Sequence, residues 1–246
     1  MVESVTATSR TASKAMDHNH TLVVILPAQN EETTVGEVLR GVPRRIGSWK
    51  VIPLVIDDGS EDATSDIARA EGALVVRHFL NLGVGAATRT GLLAARDLDA
   101  DAVVTMDADG QHDPADIEAL VRSLEEEDCD IVIGNRMLDP AGMPLSRIAA
   151  NWLLNAITLV VYGGSVSDSQ SGFKCISRRA LQRIELKADG YDICSEIIGE
   201  IFSKGLKYKS VPVKVLYTGY SRAKGQHFLN GINIILQLLK RMMRRV

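Results

Sequence analysis

The sequence predicts an α/β fold in which helices flank a mainly parallel sheet. In the first half of the chain, short apolar runs alternate with amphipathic helical patterns, and short polar loops join them. Each apolar run ends abruptly at polar or acidic residues. Because the carboxyl ends of parallel strands meet at one edge of a sheet, we expect these residues to lie together where a ligand binds.

The composition fits a single globular core. The chain has 246 residues, of which 46% are hydrophobic and 24% charged. The net charge of −3 and the pI of about 6.0 argue against a general nucleic-acid binder. Cys129, Cys175 and Cys194 are too widely spaced for a zinc motif or a disulfide framework. We expect them to be small core residues in a reducing compartment.

The C-terminal part is strongly basic. No acidic residue follows Glu200, whereas ten basic residues do: Lys204, Lys207, Lys209, Lys214, Arg222, Lys224, Lys240, Arg241, Arg244 and Arg245. This asymmetry favours an anionic partner, either phosphate groups or a membrane surface. A solvated basic face without a partner is the alternative.

The chain begins with a polar, Ser/Thr-rich stretch, for which we predict a disordered tail over residues 1–20. This stretch lacks the apolar core of a signal peptide. A buried strand is predicted from Thr21 to Pro27. Acidic residues within Ala28 to Thr33 then predict the first turn of a helix.

The second predicted strand, Val51 to Ile56, ends at two adjacent carboxylates, Asp57 and Asp58. Gly59 and Ser60 follow, and turn and helix-cap chemistry explains part of this stretch. Two carboxylates are more than a turn needs. One of them is therefore also a candidate to accept a hydrogen bond from the N–H of a nucleobase.

A short third strand, Leu74 to Val76, leads into Asn81-x-Gly83-x-Gly85 and a helix that runs through Arg96. Glycine allows the backbone to approach a ligand closely, and the start of a helix favours phosphate. One Gly-x-Gly is weak evidence. Its position between a strand and a helix strengthens it.

The most informative stretch follows the predicted buried strand Val103 to Met106. Asp107 and Asp109 stand one residue apart there, and Gly110 follows. Such a pair at a strand end can hold a hard divalent cation and leaves places for water and phosphate oxygens. A solvated turn is the alternative, because Asp and Gly are also turn residues.

A helix from Pro114 to Glu126 and a strand from Asp130 to Gly134 complete the first half, and the strand ends at Asn135 and Arg136. Three strand ends thus carry polar sets. Their convergence predicts a nucleotide and metal site.

Several of these motifs occur in a characteristic order: Pro27-Ala28-Gln29-Asn30-Glu31, Asp57-Asp58-Gly59-Ser60, Asn81-x-Gly83-x-Gly85, Asp107-Ala108-Asp109-Gly110-Gln111-His112, Gly134-Asn135-Arg136 and Ser169-Gln170-Ser171-Gly172-Phe173-Lys174. Together they resemble the family 2 glycosyltransferases of GT-A fold, in the branch of dolichol-phosphate mannose and glucose synthases. The resemblance runs from about Leu22 to Tyr217.

The resemblance implies roles at the matching positions. The nucleoside pocket would be lined by Pro27, Gln29, Glu31 and Asp57. From their positions at a strand end and before a helix, Asp58, Asn81 and Gly83 are further candidates to bind the donor nucleotide. The family's Mg²⁺ or Mn²⁺ would be held against the diphosphate by Asp107, Asp109 and Gln111. The acceptor phosphate would contact Arg136, with Arg147 and Asn151 nearby.

Two positions depart from the family pattern. Val84 stands where relatives often have Lys, which removes a candidate phosphate contact, and Arg89 is the candidate substitute. Asn135 stands where a Ser is usual, which is a mild change.

The implied reaction is an inverting transfer of a hexose from a UDP- or GDP-linked sugar to a polyprenyl or dolichyl phosphate. A phosphate monoester has a second pKa of about 6 and is largely ionised at neutral pH, so it needs little help from a general base. A soluble acceptor with a hydroxyl group would need such a base, and Asp168 and Glu196 are the candidates. A nucleotide-sugar-binding subunit without turnover is a third possibility. Neither the nucleotide nor the sugar can be read from the sequence.

The second half contains a strongly apolar helix from Ile148 to Tyr162. It is either a core helix or a helix near the membrane that guides the polyprenyl chain. A loop from Gly163 to Lys174 and a buried helix around Ile197 and Ile198 follow. A late strand is predicted from Val211 to Tyr217, with Pro212 indicating a sheet edge.

Residues 21–225 are expected to form the glycosyltransferase domain. Its last part, Tyr220 to Gly225, resembles a mobile basic loop that closes over the diphosphate, with Arg222 and Lys224 as contacts; a surface turn is the alternative. Residues 226–246 have apolar residues at helical spacing and a basic end. This pattern predicts an amphipathic helix at the cytoplasmic face of a membrane. Packing against the domain, in a homodimer or on a membrane-anchoring partner are the other possibilities.

Overall fold

The computed structural model describes residues 20–140, 143–164 and 166–216. The predicted N-terminal tail, the basic loop with Arg222 and Lys224, and the predicted C-terminal helix lie outside the described residues. The domain boundaries at residues 20 and 225 therefore stay predictions.

Within the described residues, eight strands form a single sheet. They are β1 (His20–Ala28), β2 (Arg45–Ile46), β3 (Trp49–Asp57), β4 (Leu74–Arg77), β5 (Ala102–Thr105), β6 (Ile131–Asn135), β7 (Lys174–Ser177) and β8 (Tyr208–Pro212). The helices are α1 (Val35–Gly41), α2 (Thr64–Ala70), α3 (Val84–Asp97), α4 (Ile117–Glu126), α5 (Leu145–Tyr162), α6 (Arg178–Arg183) and α7 (Ile193–Ser203).

The strand order is β2-β3-β1-β5-β7-β6-β8, and β4 pairs with the end of β3. Four pairs are parallel, namely β1 with β3 and β5, β3 with β4, and β6 with β8. The antiparallel strand β7 lies between β5 and β6. The predicted mainly parallel α/β sheet is confirmed, and its central parallel strands end at one edge.

Apolar side chains cover both faces of the sheet. Along β1, Leu22 and Val24 pack into the core on the side of α1 and α4, whereas Val23 and Ile25 pack into the core on the side of α3 and α7. A strand buried on both faces reads as a continuous apolar run, which is why the first strand was recognisable in the sequence.

Two boundaries differ from those predicted. Strand β1 continues through Pro27 and Ala28, which pair with Ile56 and Asp57, so the first helix starts only at Val35. The late strand runs over Tyr208–Pro212 rather than from Val211 to Tyr217. It is an edge strand, as Pro212 indicated, and it ends there because proline supplies no N–H for further pairing.

The helix α5 is not a core helix. It is the only helix among the described residues that is long and apolar enough to cross a membrane, and 28% of it is buried. Its polar side chains Asn151, Asn155 and Thr158 face inward, whereas Trp152 and Val160 are exposed. The core-helix interpretation is therefore wrong.

Candidate active site

The loop that follows β5 fixes the orientation of Asp109. The Gln111 backbone N–H donates to Asp109 Oδ1 at 2.9 Å, and Gln111 Nε2 donates to Asp109 Oδ2 at 2.7 Å. The Asp107 N–H donates to His112 Nδ1 at 3.1 Å, while 47% of the Asp107 side chain is exposed. The two carboxylates are thus held at the carboxyl edge of the sheet by the short segment that contains them.

Asp107 and Asp109 are half-buried, and the charge of Asp107 repels the ionised form of Asp109. Partial removal from water raises the pKa of Asp107, although the positive charges of Arg136 and Lys174 oppose this. Burial, together with the charges of Asp107 and Glu31, raises the pKa of Asp109 to about 6. A divalent cation would relieve this repulsion, because it attracts both carboxylates in their ionised form.

The donor set fits Mg²⁺ or Mn²⁺ that is shared with a ligand. Within the parts of the chain that the structure describes, no group of three or more His, Cys, Asp or Glu side chains is arranged to hold a metal. Asp107 and Asp109 would supply two oxygens, and water and a diphosphate would supply the rest, as is usual for Mg²⁺. Gln111 donates a hydrogen bond to Asp109. This position suits Gln111 better to orienting the Asp109 carboxylate than to binding the metal directly.

The pKa of Asp109 gives a pH prediction. Its carboxyl titrates near 3.8 in an unfolded chain and at about 6 in the folded protein, so the folded state binds more protons between these values. The stability contribution of Asp109 therefore falls as pH rises through this window. A cation needs the ionised form, so the affinity for Mn²⁺ should rise between pH 5 and pH 7. Calorimetric titration of Mn²⁺ with UDP across this range tests the prediction, and an unchanged affinity would contradict it.

Arg136 lies beside the acidic pair and is held by Asp168. Its Nε and Nη2 donate to Asp168 Oδ2 and Oδ1, both at 2.7 Å, and its backbone N–H donates to Oδ2 at 3.0 Å. Asn151 on α5 donates to Asp168 Oδ1 at 2.8 Å. Burial alone would raise the pKa of Asp168, but the hydrogen bonds and charge of Arg136 hold it below its usual range. Both Asp168 oxygens are occupied, so its position suits a positioning residue more than the predicted general base.

Asn135, the departure from the family's usual Ser, supports the same arrangement. It is fully buried at the end of β6. Its Oδ1 accepts from the Met137 N–H at 2.9 Å, and its Nδ2 donates to Ser167 Oγ. The side chain therefore ties the segment that carries Arg136 to the loop that carries Asp168.

Lys174 was missed by sequence reasoning as a site residue. It lies on β7 with 1% of its surface exposed, and its ammonium donates to the Ser171 carbonyl oxygen. Its charge opposes the rise in the pKa of Asp107 that burial causes. A lysine between Phe173 and Cys175 in a buried strand is the signal that was available, because lysine is rarely buried without a polar partner.

Gly172 leaves room for the Asp107 carboxylate. Its carbonyl accepts from Thr105 Oγ1 at 2.7 Å, and a Cβ at this position would lie 3.0 and 3.1 Å from the two Asp107 carboxylate oxygens. We expect Gly172→Ala to displace this carboxylate and to weaken Mn²⁺ binding about tenfold or more, as mispositioned ligands do. Titration with Mn²⁺ measures this. An unchanged affinity in a folded variant would contradict the contact.

Glu196, the other candidate base, is buried on α7. Its Oε2 accepts from the backbone N–H groups of Lys187 and Ala188 at 2.9 and 2.8 Å. These bonds fix the loop before α7. The geometry therefore gives Glu196 a structural role and does not favour its action as a base.

The predicted nucleoside residues lie at the ends of β1 and β3. Pro27 is half-buried, Gln29 is exposed and Glu31 is buried near the acidic pair, as its effect on Asp109 indicates. Asp57 is fully buried, and it accepts from the Ser60 N–H at 2.8 Å and from Ser65 Oγ. Turn and cap chemistry therefore accounts for Asp57, while the first three keep positions that suit a donor nucleotide.

Asp58 has a structural role that differs from the predicted one. Its carboxylate accepts from the Leu82 and Gly83 N–H groups at 2.9 and 2.8 Å, and it contacts His78 Nδ1 at 2.7 Å. Asn81 Oδ1 also accepts from the Gly83 N–H, at 2.9 Å. The Asp58 contacts join the turn after β3 to the loop between β4 and α3, and the Asn81 contact closes that loop on itself.

The glycines at the start of α3, predicted to contact phosphate, also have a structural role. Gly83 has φ 98°, and a Cβ there would lie 2.3 Å from the Asp189 carbonyl oxygen. That oxygen also accepts from the Gly85 N–H at 2.8 Å. Arg89, the candidate substitute for the missing lysine, is paired with Asp189 at 2.7 Å. The glycines therefore allow the loop that carries Asp189 to pack closely against the start of α3.

The remaining acceptor candidate, Arg147, is half-buried in the first turn of α5. It lies one turn before Asn151, the helix residue that contacts Asp168.

The chain after β8 returns to the acidic loop: the Leu216 N–H donates to the Gln111 carbonyl at 2.9 Å, and Val215 bridges to His112. Val215 and Leu216 thus lie against the loop that carries Asp109.

The fold defines the class of protein. A curled α/β sheet of this kind is the GT-A glycosyltransferase fold, and solved structures with that fold match the chain. One is glucosyl-3-phosphoglycerate synthase from Mycobacterium tuberculosis in complex with Mn²⁺, UDP-glucose and phosphoglyceric acid. It is 26% identical, with 91% of this chain and 80% of that chain covered and a TM-score of 0.67.

The sequence gives the family. The glycosyl transferase family 2 model matches residues 23–185. An uncharacterized protein of Methanocaldococcus jannaschii is 41% identical over 89% of this chain and 90% of its own length. A UDP-N-acetylglucosamine–dolichyl-phosphate N-acetylglucosaminyltransferase of Methanococcus voltae is 34% identical over 92% of this chain and 97% of its own. The chain belongs to glycosyl transferase family 2 and is a glycosyltransferase, so the family predicted from the motifs is confirmed.

Proposed function

We propose that this glycosyltransferase moves a hexose or N-acetylhexosamine from a nucleotide sugar to a polyprenyl phosphate, with inversion at the anomeric carbon. The Methanococcus voltae relative, which spans nearly the whole chain, is named for a dolichyl-phosphate acceptor. The same relative and the UDP-glucose complex favour a UDP-linked donor over a GDP-linked one.

The observation that carries the proposal is the placement of Arg136 beside Asp107. Their charges interact, and Asp168 holds the guanidinium in a fixed orientation. A planar, always charged guanidinium suits a phosphate group, because it binds phosphate oxygens through several N–H groups. Arg136 is therefore proposed to bind the acceptor phosphate and to bring it next to the donor.

Asp107 and Asp109, oriented by Gln111, are proposed to hold the cation. When bound, Mg²⁺ or Mn²⁺ would supply Lewis-acid stabilisation of the departing nucleoside diphosphate. Glu31, Gln29 and Pro27 are proposed to border the nucleotide. The protein's own contribution is to place two phosphate-bearing substrates in line while its fixed cations offset their repulsion.

The engagement of both candidate bases supports a phosphate acceptor. Asp168 is paired with Arg136, and Glu196 is bonded to a backbone loop. A hydroxyl acceptor needs a base within hydrogen-bond reach of its proton, whereas an ionised phosphate does not. A hydroxyl acceptor remains the second candidate, because the structural neighbour from Mycobacterium tuberculosis was crystallised with phosphoglyceric acid.

Transfer assays distinguish the two acceptors. With a labelled UDP-sugar and Mn²⁺, we expect label to move to a polyprenyl phosphate and to be extracted into organic solvent. Transfer to phosphoglyceric acid or another soluble hydroxyl compound, without transfer to the lipid phosphate, would overturn the proposal. Absence of any metal-dependent turnover of the donor would instead favour a binding subunit.

Thermal unfolding identifies the nucleotide. A ligand at about a hundred times its Kd stabilises the folded state by about 2.7 kcal/mol, which is a rise of about 5–10 °C in Tm for a domain of this size. We expect this rise with UDP and Mn²⁺. A larger rise with GDP would overturn the choice of UDP and leave the acceptor proposal intact.

The proposed place of action is the cytoplasmic face of a membrane, where the lipid acceptor and the soluble nucleotide sugar meet. Three of the ten basic residues after Glu200 pair with acidic side chains of the domain, namely Lys204, Lys207 and Lys209. The other seven support this location, since basic residues near anionic lipid contribute about 1 kcal/mol each.

A further inference from the structure

The outer surface of α5 is apolar along its whole length. Its most exposed large side chains are Leu145 at 83%, Val160 at 73%, Trp152 at 65%, Leu153 at 54% and Leu159 at 50%. The other exposed positions of the helix are three alanines and Ser146. A helix at the surface of a soluble domain normally turns its polar face outward, whereas α5 turns its apolar face outward.

The inner surface of the same helix carries Asn151, Asn155 and Thr158 together with Leu154 and Val161, and its polar side chains bond to the loop before β7 and to α7. Asn155 Nδ2 donates to the Ser167 carbonyl at 2.7 Å, and the Ser169 N–H donates to Asn155 Oδ1 at 2.9 Å. Thr158 lies 3.0 Å from Ser195 Oγ on α7. These buried hydrogen bonds fix which face of α5 points outward, because turning the helix would leave them unmade.

We propose that the outer face of α5 is seated in the hydrocarbon layer of a membrane leaflet. The inference rests on the proposed lipid acceptor and names the surface that meets the lipid. The helix has 18 residues. It is therefore about 27 Å long, and with its inner face bonded to the domain it lies along the leaflet rather than across it.

Two features favour lipid over a second protein surface. Protein interfaces carry about one hydrogen bond per 100–200 Å² and a polar rim, whereas the outward side chains of α5 offer almost no hydrogen-bonding groups. Apart from Lys204, Lys207 and Lys209, which pair with acidic side chains of the domain, seven basic residues follow Glu200 in the sequence and would complement anionic headgroups.

The two faces of α5 correspond to the two parts of a lipid phosphate, its polar head and its apolar tail. Its inner face reaches Asp168 through Asn151, and Asp168 holds Arg136, the proposed phosphate contact. One helix therefore presents its polar side toward the phosphate site and its apolar side outward, where the tail of the same molecule must leave.

Trp152 provides a direct test in the full-length protein. The chain has two tryptophans, and the other, Trp49, is 6% exposed and donates to Glu125 at 2.7 Å. With vesicles of phosphatidylcholine and phosphatidylglycerol, we expect the emission of Trp152 to move to shorter wavelength and to be quenched by brominated acyl chains. Trp152→Phe should remove this signal.

Matched leucine variants test the contribution of the surface to binding. We expect Leu153→Glu with Val160→Glu to reduce vesicle partitioning on the order of tenfold. Leu93 on α3 has 56% of its surface exposed against 54% for Leu153, so Leu93→Glu is the control and should partition like the wild type. Circular dichroism checks that each variant is folded.

The possible outcomes distinguish a failure of the proposed lipid-facing surface from a failure of the proposed reaction. Binding to vesicles while Trp152 stays accessible to aqueous acrylamide would overturn the proposal, because another segment would then carry the contact. So would a dimer in solution that the α5 variants dissociate. Transfer to a short, water-soluble prenyl phosphate needs no membrane, so its failure alongside quenching of Trp152 would reject the proposed reaction and leave the surface standing.

Discussion

Replacement of Asp109 by asparagine should abolish the metal-dependent step while the protein stays folded. The substitution keeps the shape and an oxygen that can accept from the Gln111 backbone N–H, but it removes one of the two charges that would hold the cation. Losing several kcal/mol of electrostatic stabilisation corresponds to about a hundredfold to a thousandfold lower kcat. The rise in Tm on adding Mn²⁺ should also disappear.

Asp113 provides the matched control. It lies in the same loop and caps the following 3₁₀ turn by accepting from the Ala115 N–H at 3.0 Å, a role that asparagine also performs. We expect Asp113→Asn to keep both the activity and the response to Mn²⁺. An active Asp109→Asn variant, or an equal loss in Asp113→Asn, would reject the assignment of Asp109.

Replacement of Asp168 by alanine should cost both stability and activity. It leaves the Arg136 guanidinium, 22% exposed, without the carboxylate that accepts from it at two positions. Removal of one partner from a buried ion pair typically costs about 3–5 kcal/mol. For a protein of this size, that lowers Tm by at least about 6 °C.

A double-mutant cycle with Arg136→Met shows whether the loss arises from the pair. The double variant should lose less stability than the two single variants together, because neither charge is then left unpaired. Asp168→Asn should restore part of the stability but not the full activity if Asp168 acts by orienting Arg136. Additive losses would indicate that the two residues act independently.

The acidic loop was predictable because its signal is local. An apolar run that ends in Asp107 and Asp109 identifies a buried strand and its polar end within a few residues. The family resemblance rests on the same kind of short, ordered segments, and it is confirmed by the match over residues 23–185.

The features that sequence reasoning missed depend on distant partners. Asp58 resembles a ligand-binding carboxylate until Leu82 and Gly83 are seen to donate to it from another loop. Strand β7 is short and pairs antiparallel with β5, a strand far away in sequence. Lys174 was overlooked for this reason: its apolar neighbours Phe173 and Cys175 hinted at burial, but only the distant partner strands show it.

The orientation of α5 was likewise beyond the sequence. Its composition indicates an apolar helix, and the usual rule places the apolar side inward. Only the hydrogen bonds of Asn151 and Asn155 to the neighbouring loop show that the polar side is the buried one.

The central claim is that Asp107 and Asp109 hold a divalent cation against the diphosphate of the donor. An anomalous difference map from crystals soaked with Mn²⁺ and UDP tests it most directly. We expect one strong peak within bonding distance, about 2.1 Å, of oxygens from both carboxylates and from the diphosphate. A manganese peak elsewhere, with both side chains turned to solvent, would contradict the claim.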